Sequence, residues 1–529
     1  FGTASSAGQI NMDMTNSIQF YLTGTDNFTI QSVSESYPVV MIGNDLRWST
    51  WDDGGTTGTM NFKWVDYRPD ITTSDGSDIA IMGDSSFGNL TINGSETLDT
   101  GAFVANTTGD LVVNGTFTAS AGGDHSFGLI QINSGGTFSA PSGTTTVTKS
   151  GFESTGFDND GTFTANSGTL TISGSTVGSA NDFNGTSGNP YNLIINAGGT
   201  ANLYYGSFTV DANLTISGSE LEPSGITNDI TVIEGVIVQS GGTLTSYLDV
   251  PASNGNHSFG FVEIQSGGTL DASNEITYIN SETSGHFAFN CDGTYTHNNG
   301  ELQFTLENTG STTYADIVCG DGGTVYDLVL NDTSGTNTLY IASGNTHTIS
   351  NDLIIENGEF NIDSVNYDID VKGDVKVNAN GIFGTTSGEP SSKNWTFGTL
   401  LIETGGQFES TNDSLNITAS SGTCWDNNGT FTSNGGTVEF GGACDVYTRG
   451  TGTGQDFSNI SFTGGSVYLY SNALDVDNDM LLNTGTLETE GQAVTVGGRA
   501  DIVSGTFTGT SGATTLGSLA VSSGATYQT

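Results

Sequence analysis

The sequence predicts an all-β chain wound into a parallel β-helix, a right-handed β-solenoid with about 22 residues per turn. Three observations carry this: a recurring twelve-residue signature, alternation of apolar and polar residues within it, and glycine steps that separate its short strands.

The signature reads FGLIQINSGGTF at 127–138, FGFVEIQSGGTL at 259–270 and FGTLLIETGGQF at 397–408. Further copies are FGNLTINGSETL at 87–98, FSNISFTGGSVY at 457–468 and LGSLAVSSGATY at 516–527, with two diverged copies beginning near Pro190 and Val325. From Phe127 onward the starts lie 59 to 72 residues apart, which gives a repeat of about 65 residues. Alternate copies resemble each other more than neighbours do. DGTFTANSGTLTI at 160–172, DGTYTHNNGELQF at 292–304 and NGTFTSNGGTVEF at 428–440 form one series. NLTISGSEL at 213–221, DLIIENGEF at 352–360 and DMLLNTGTL at 479–487 form the other. The larger unit is therefore a pair of about 132 residues.

Positions four and six of the signature are apolar, as in Ile130/Ile132, Val262/Ile264 and Leu400/Ile402. Residues two apart on a strand share a face, so these pairs point inward and their neighbours outward. The following Gly-Gly or Ser-Gly step supplies a positive-φ corner, and a second short strand such as GTFTA comes next. A 65-residue repeat then reads as about three turns, with equivalent side chains stacked along the axis, including Phe127-type aromatics.

Composition agrees. Glycine is 77 of 529 residues and proline only 7, which excludes collagen-like and proline-rich readings. Acidic residues number 57 against 9 basic ones, a net charge of −48. Nucleic acid is an excluded partner, because phosphate binding needs clustered Lys and Arg. No apolar run reaches the roughly 20 residues of a membrane span.

The chain divides at about residue 87. Residues 1–86 do not fit the repeat and read as an N-terminal cap or docking segment; 87–529 is the solenoid, with repeats starting near 87, 127, 190, 259, 325, 397, 457 and 516, the last incomplete. The N-terminal segment holds Trp48, Trp51, Trp64, Arg47 and Arg68, residue types enriched at interface hot spots, and these are the assembly candidates. The signature at 516 is followed by no capping segment within the sequence, which suggests further repeats or stacking on a neighbouring subunit.

Candidate sites are few. Cys291, Cys319, Cys424 and Cys444 fall in two nearby pairs without a CxxC motif and read as two disulfides in an oxidising compartment. Asp158 and Asp160, and the alternate carboxylates Asp475, Asp477 and Asp479, are weak Ca²⁺ candidates. His125 and His257 occupy the same place in HSFG and lack a metal partner at ligand spacing. Fourteen N-x-S/T sequons occur, against about twelve expected by chance from 47 asparagines, so the count itself is no evidence of glycosylation. The candidates are Asn27, Asn89, Asn106, Asn114, Asn213, Asn331, Asn394, Asn416, Asn428 and Asn459. No catalytic residue and no cofactor are assigned. Glycosidase chemistry needs two opposed carboxylates, and no pair stands out.

The GTFTA, SGGTF and LTISG phrases resemble secreted bacterial and archaeal β-strand-repeat proteins: adhesin passengers, surface-layer proteins and filament proteins with β-helical stalks. The resemblance covers 87–529 and implies export, a cell-surface location, and roles in adhesion or assembly. The expectation is a structural subunit of an extracellular filament, sheath or surface layer, with itself as partner and cell-surface glycans as a further partner class. The alternatives are an adhesin stalk and a carbohydrate-active β-helix of tailspike or polysaccharide-lyase type.

Overall fold

Most strands in this chain are three to five residues long, and a glycine or asparagine with positive φ turns many of the corners between them. The computed structural model describes residues 84–529 except 95, 120–121, 150–155, 175–179, 182–187, 197, 199, 205–206, 225–228, 246–254, 281–286, 307–311, 320–322, 335–336, 342–345, 363–367, 386–392 and 449–456. N-terminal of these it describes the strands Phe28–Gln31, Met60–Lys63, Ile71–Thr72 and Ile79–Ile81. Two compact units divide the chain, Phe1–Asn228 and Asp229–Thr529. Each is a parallel β-solenoid of about 22 residues per turn, and no helix occurs among the described residues.

In the first unit a turn consists of three strands, for example His125–Phe127, Leu129–Ile132 and Thr137–Ser139. Each pairs in parallel with its counterparts one turn away: Phe127 with Val147, Ile130 with Leu111 and Phe157, Phe138 with Phe117 and Phe163. Burial alternates along Leu129–Ile132, so Ile130 and Ile132 are fully buried while Gln131 faces outward. Parallel pairing also runs through the short strands before Phe87, where Met60 pairs with Ile79 and Ile79 with Leu98.

The two glycines of the SGG corner have different duties. Gly135, Gly267 and Gly405 take φ of +87°, +81° and +99°, which a side chain disfavours. Gly136, Gly268 and Gly406 need their bareness for contact: a Cβ would lie 2.2, 2.5 and 2.7 Å from the carbonyl oxygens of Val113, Val238 and Val377. In the alternate copies Asn166, Asn298 and Asn434 turn the same kind of corner at φ near +48°.

Aromatic stacking belongs mainly to the third strand. The rings of Phe117 and Phe138 lie 4.9 Å apart and nearly parallel, and Phe163 continues the stack at 5.9 Å. Phe127 meets Phe117 and Phe138 edge-on, and the column above it is aliphatic, with Val147, Ile172 and Ile195. The expected Phe127-type aromatic ladder is therefore moved to the GTF strand, whose phenylalanines fall in register turn after turn. In the second unit the same strand stacks Phe360, Phe383, Phe408 and Phe431.

The sequence repeat and the structural turn are out of phase. In the second unit Phe259, position one of its copy, stacks in turn on Ile279, Phe304 and Leu330, and Leu330 is position six of the next copy. The column continues through Ile355 and Val377 to Ile402, position six again. Phe397, Ile417, Phe440 and Phe462 repeat the first shift, and Leu482, Ile502 and Val521 repeat the second relation. A pair of repeats therefore fills six turns less one face: position six lines up in Leu330 and Ile402, while position one steps by a face from Phe259 to Phe397. The first unit shows the same shift, with Phe127 stacked three turns from Ile195, position six of the copy at 190.

Candidate functional site

With the interior filled by the chain's own side chains, candidate chemistry is confined to corners and outward faces. Two buried bridges brace successive turns of the second unit: Cys291–Cys319, 28 residues apart, and Cys424–Cys444, 20 apart. No free cysteine occurs among the described residues.

Corners carry a device that the sequence shows only as scattered Asn and Asp before a strand. Each such side chain accepts the backbone N–H of the equivalent residue one turn on. Asn89 Oδ1 accepts from Asp110 at 2.8 Å. Asp327 Oδ1 accepts from Asp352 at 3.0 Å, Asp352 Oδ1 from Asp374 at 2.7 Å, and the Asp374 carboxylate from the Thr399 hydroxyl at 2.7 Å. These carboxylates stand above one another because each satisfies a donor of the next turn. Burial, with the charges of Asp374 and Asp327 beside it, pushes the Asp352 carboxyl above its ordinary range; burial and Asp327 do the same to Glu301.

The Ca²⁺ candidates are half-buried or exposed. Asp158 faces outward and accepts from Gln131 Nε2 at 3.4 Å, while Asp160 is exposed in the following turn. Asp479 Oδ1 accepts the N–H of Arg499 at 2.8 Å, and the Asp475 carboxyl is raised by burial and by the charge of Asp477. Among the described residues no three His, Cys, Asp or Glu side chains are placed to share a metal ion. Trp48, Trp51, Trp64, Arg47, Arg68 and Asn27 lie outside the described residues.

Three histidines point inward, while His297 is half-buried and stacks on Tyr326 at 5.3 Å. His125 and His257 are each 1% exposed, and His347, which the sequence did not single out, is fully buried. His125 Nδ1 lies 3.1 Å from both the N–H and the carbonyl oxygen of Ala105, and its ring stacks on Phe127 at 6.1 Å. Burial pushes its imidazole below the ordinary value, outweighing the opposing effects of that carbonyl and of Asp124 and Asp84.

Sequon asparagines divide by what their side chains do. Asn89 and Asn394 are exposed, and Asn213 is half-buried. Asn106, Asn114, Asn331 and Asn416 accept hydrogen bonds through Oδ1 from Ser126, Asn133, Asn357 and Ser414. Asn428 Nδ2, the atom a glycan would take, donates to Asp426, and Asn459 Nδ2 to the carbonyls of Gly435 and Gly436.

A small gap lined by Phe163, Leu170 and Tyr191 in the first unit has no room for a water molecule. Fold and surface together define a β-solenoid repeat protein. No family model, curated protein or solved structure matches the chain.

Proposed function

We propose that the chain is a structural subunit of an extracellular filament, sheath or surface layer, and not an enzyme. The observation that carries this reading is the parallel strand pairing that joins turn to turn within each unit, over a buried stack of aliphatic and aromatic side chains. Such a coil resists extension along its axis, because separating two turns breaks a whole set of strand bonds at once. Buried disulfides between turns add covalent bracing, and they persist in oxidising surroundings such as the cell exterior. The acidic surface supports a hydrated exterior position in salt-bearing water, where cations screen the charge of −48.

Electron microscopy of the native full-length protein, at physiological salt with and without Ca²⁺, tests the proposal. Ordered fibres or two-dimensional arrays are the expected result. Monodisperse single particles at every protein and salt concentration would overturn it.

A further inference from the structure

One outward sheet face of the second unit sets three tyrosines among carboxylates. Cys444–Tyr447 pairs in parallel with Ser466–Tyr470, which places Asp445 beside Tyr468 and Tyr447 beside Tyr470. The neighbouring strands extend both rows: Asp426 flanks Tyr447 on one side, and Glu488 flanks Tyr468 on the other. The outward grid therefore reads Asp426–Tyr447–Tyr470 in one row and Asp445–Tyr468–Glu488 in the next. All six side chains are half-buried, with their outer surfaces open to solvent.

The rings form one connected platform. Tyr447 and Tyr470 stack at 5.5 Å, and Tyr468 lies beside Tyr470 at 6.4 Å with nearly parallel planes. No described ion pair involves the three carboxylates. Partial desolvation, together with Asp445, Glu490 and the two neighbouring tyrosines, pushes the Tyr470 phenol above its ordinary value. The Cys424–Cys444 bridge lies in the strands that hold Asp426 and Tyr447, and so fixes the spacing of this row.

We propose that this face docks a basic polypeptide segment, its Lys and Arg side chains seated between tyrosine rings and carboxylates. Charge complementarity favours this occupant over a second copy: the face is anionic, and so is the chain as a whole, with 57 acidic residues against 9 basic. The aromatic component separates it from diffuse attraction. Arg and Lys gain about 0.5–1 kcal/mol from each accessible aromatic ring, a contribution that plain carboxylates do not supply.

The probe is a ten-residue peptide of alternating Arg and Gly, titrated into the full chain by calorimetry at about 0.15 M salt. Tyr447→Thr/Tyr470→Thr is expected to weaken its tightest binding about tenfold, and Glu488→Gln to weaken it and reduce its dependence on salt. Tyr314→Thr/Tyr340→Thr is the control. That pair also stacks at 5.5 Å, but its row is continued by Phe287 and Asn361 instead of carboxylates, so its loss leaves binding unchanged. Circular dichroism and the melting curve establish that each variant is folded. Equal binding by the wild type and the folded Tyr447/Tyr470 variant would mean that only diffuse charge attracts the peptide. That result, or an equal loss in the Tyr314/Tyr340 control, overturns the proposal.

Discussion

Replacing Phe383 by alanine removes a central ring of the second unit's aromatic stack. Phe383 is fully buried; its ring centroid lies 4.6 Å from Phe408, 5.2 Å from Trp395, 5.5 Å from Phe360 and 6.1 Å from Phe397. A buried Phe→Ala change costs about 3–5 kcal/mol through lost transfer energy and the cavity left behind. Four ring contacts place this site toward the upper part of that range, and we expect about 4 kcal/mol. Because each turn touches only its neighbours, the cost should be local. Native-state hydrogen exchange read by mass spectrometry is the suitable assay. The strands Leu353–Ile362, Ile369–Thr385 and Gln407–Glu409 should exchange several hundred-fold faster, the rate equivalent of about 4 kcal/mol. Strands of the first unit, such as His125–Phe127, should keep their protection. A change below tenfold, or one spread equally over both units, would refute the reasoning that the stack stabilises the coil turn by turn.

Three further outcomes are expected. His125 is held neutral in the fold, so its contribution to stability is intact above its ordinary value of 6.5 and declines as pH falls below it, by about 1.4 kcal/mol per pH unit until the buried ring itself takes a proton. His125→Phe should therefore flatten the acid limb of a pH-dependent denaturation curve below pH 6.5; an unaltered limb would show that this imidazole is not responsible. Removing the Cys291–Cys319 bridge as the double alanine variant releases a 28-residue loop in the unfolded chain and should cost the second unit about 3.5 kcal/mol in urea titration, after which added reductant should act only through Cys424–Cys444; an unchanged midpoint would show that the bridge does not stabilise the coil. Gly429→Ala would put a Cβ 2.3 Å from the carbonyl oxygen of Gly406 and 2.4 Å from Ile402 Cγ2, and a loss of about 2 kcal/mol in the same titration is expected, whereas a neutral result would mean that the turns can slide apart there.

Much of the fold was legible because its rules are local. Alternation at Ile130/Ile132 and Leu400/Ile402 depends only on the two-residue period of a strand, and these side chains are buried as that period requires. The parallel coil followed from short strands broken by Gly-Gly steps, since a positive φ at Gly135 is a property of one residue. The corner Asn and Asp residues were visible as letters but not as a device: Asp327, Asp352 and Asp374 become partners only when turns 22 to 25 residues apart are stacked. The tyrosine face was hidden for the same reason, because Asp426, Tyr447, Tyr470 and Glu488 meet only across adjacent turns.

The sequence by itself determined the class of structure, the inward residues and the period of the repeat. Tertiary structure alone decided the phase between that period and the turn. Repeat length is counted along the chain, but the number of residues per turn depends on how far each corner extends, and successive steps in one column range from 20 to 26 residues. Parallel pairing accepts any register that keeps apolar residues inside, and positions one and six both do. Phe259 therefore shares one column with Leu330 and Ile402, all three buried, and the surface pattern rotates by one face for every pair of repeats.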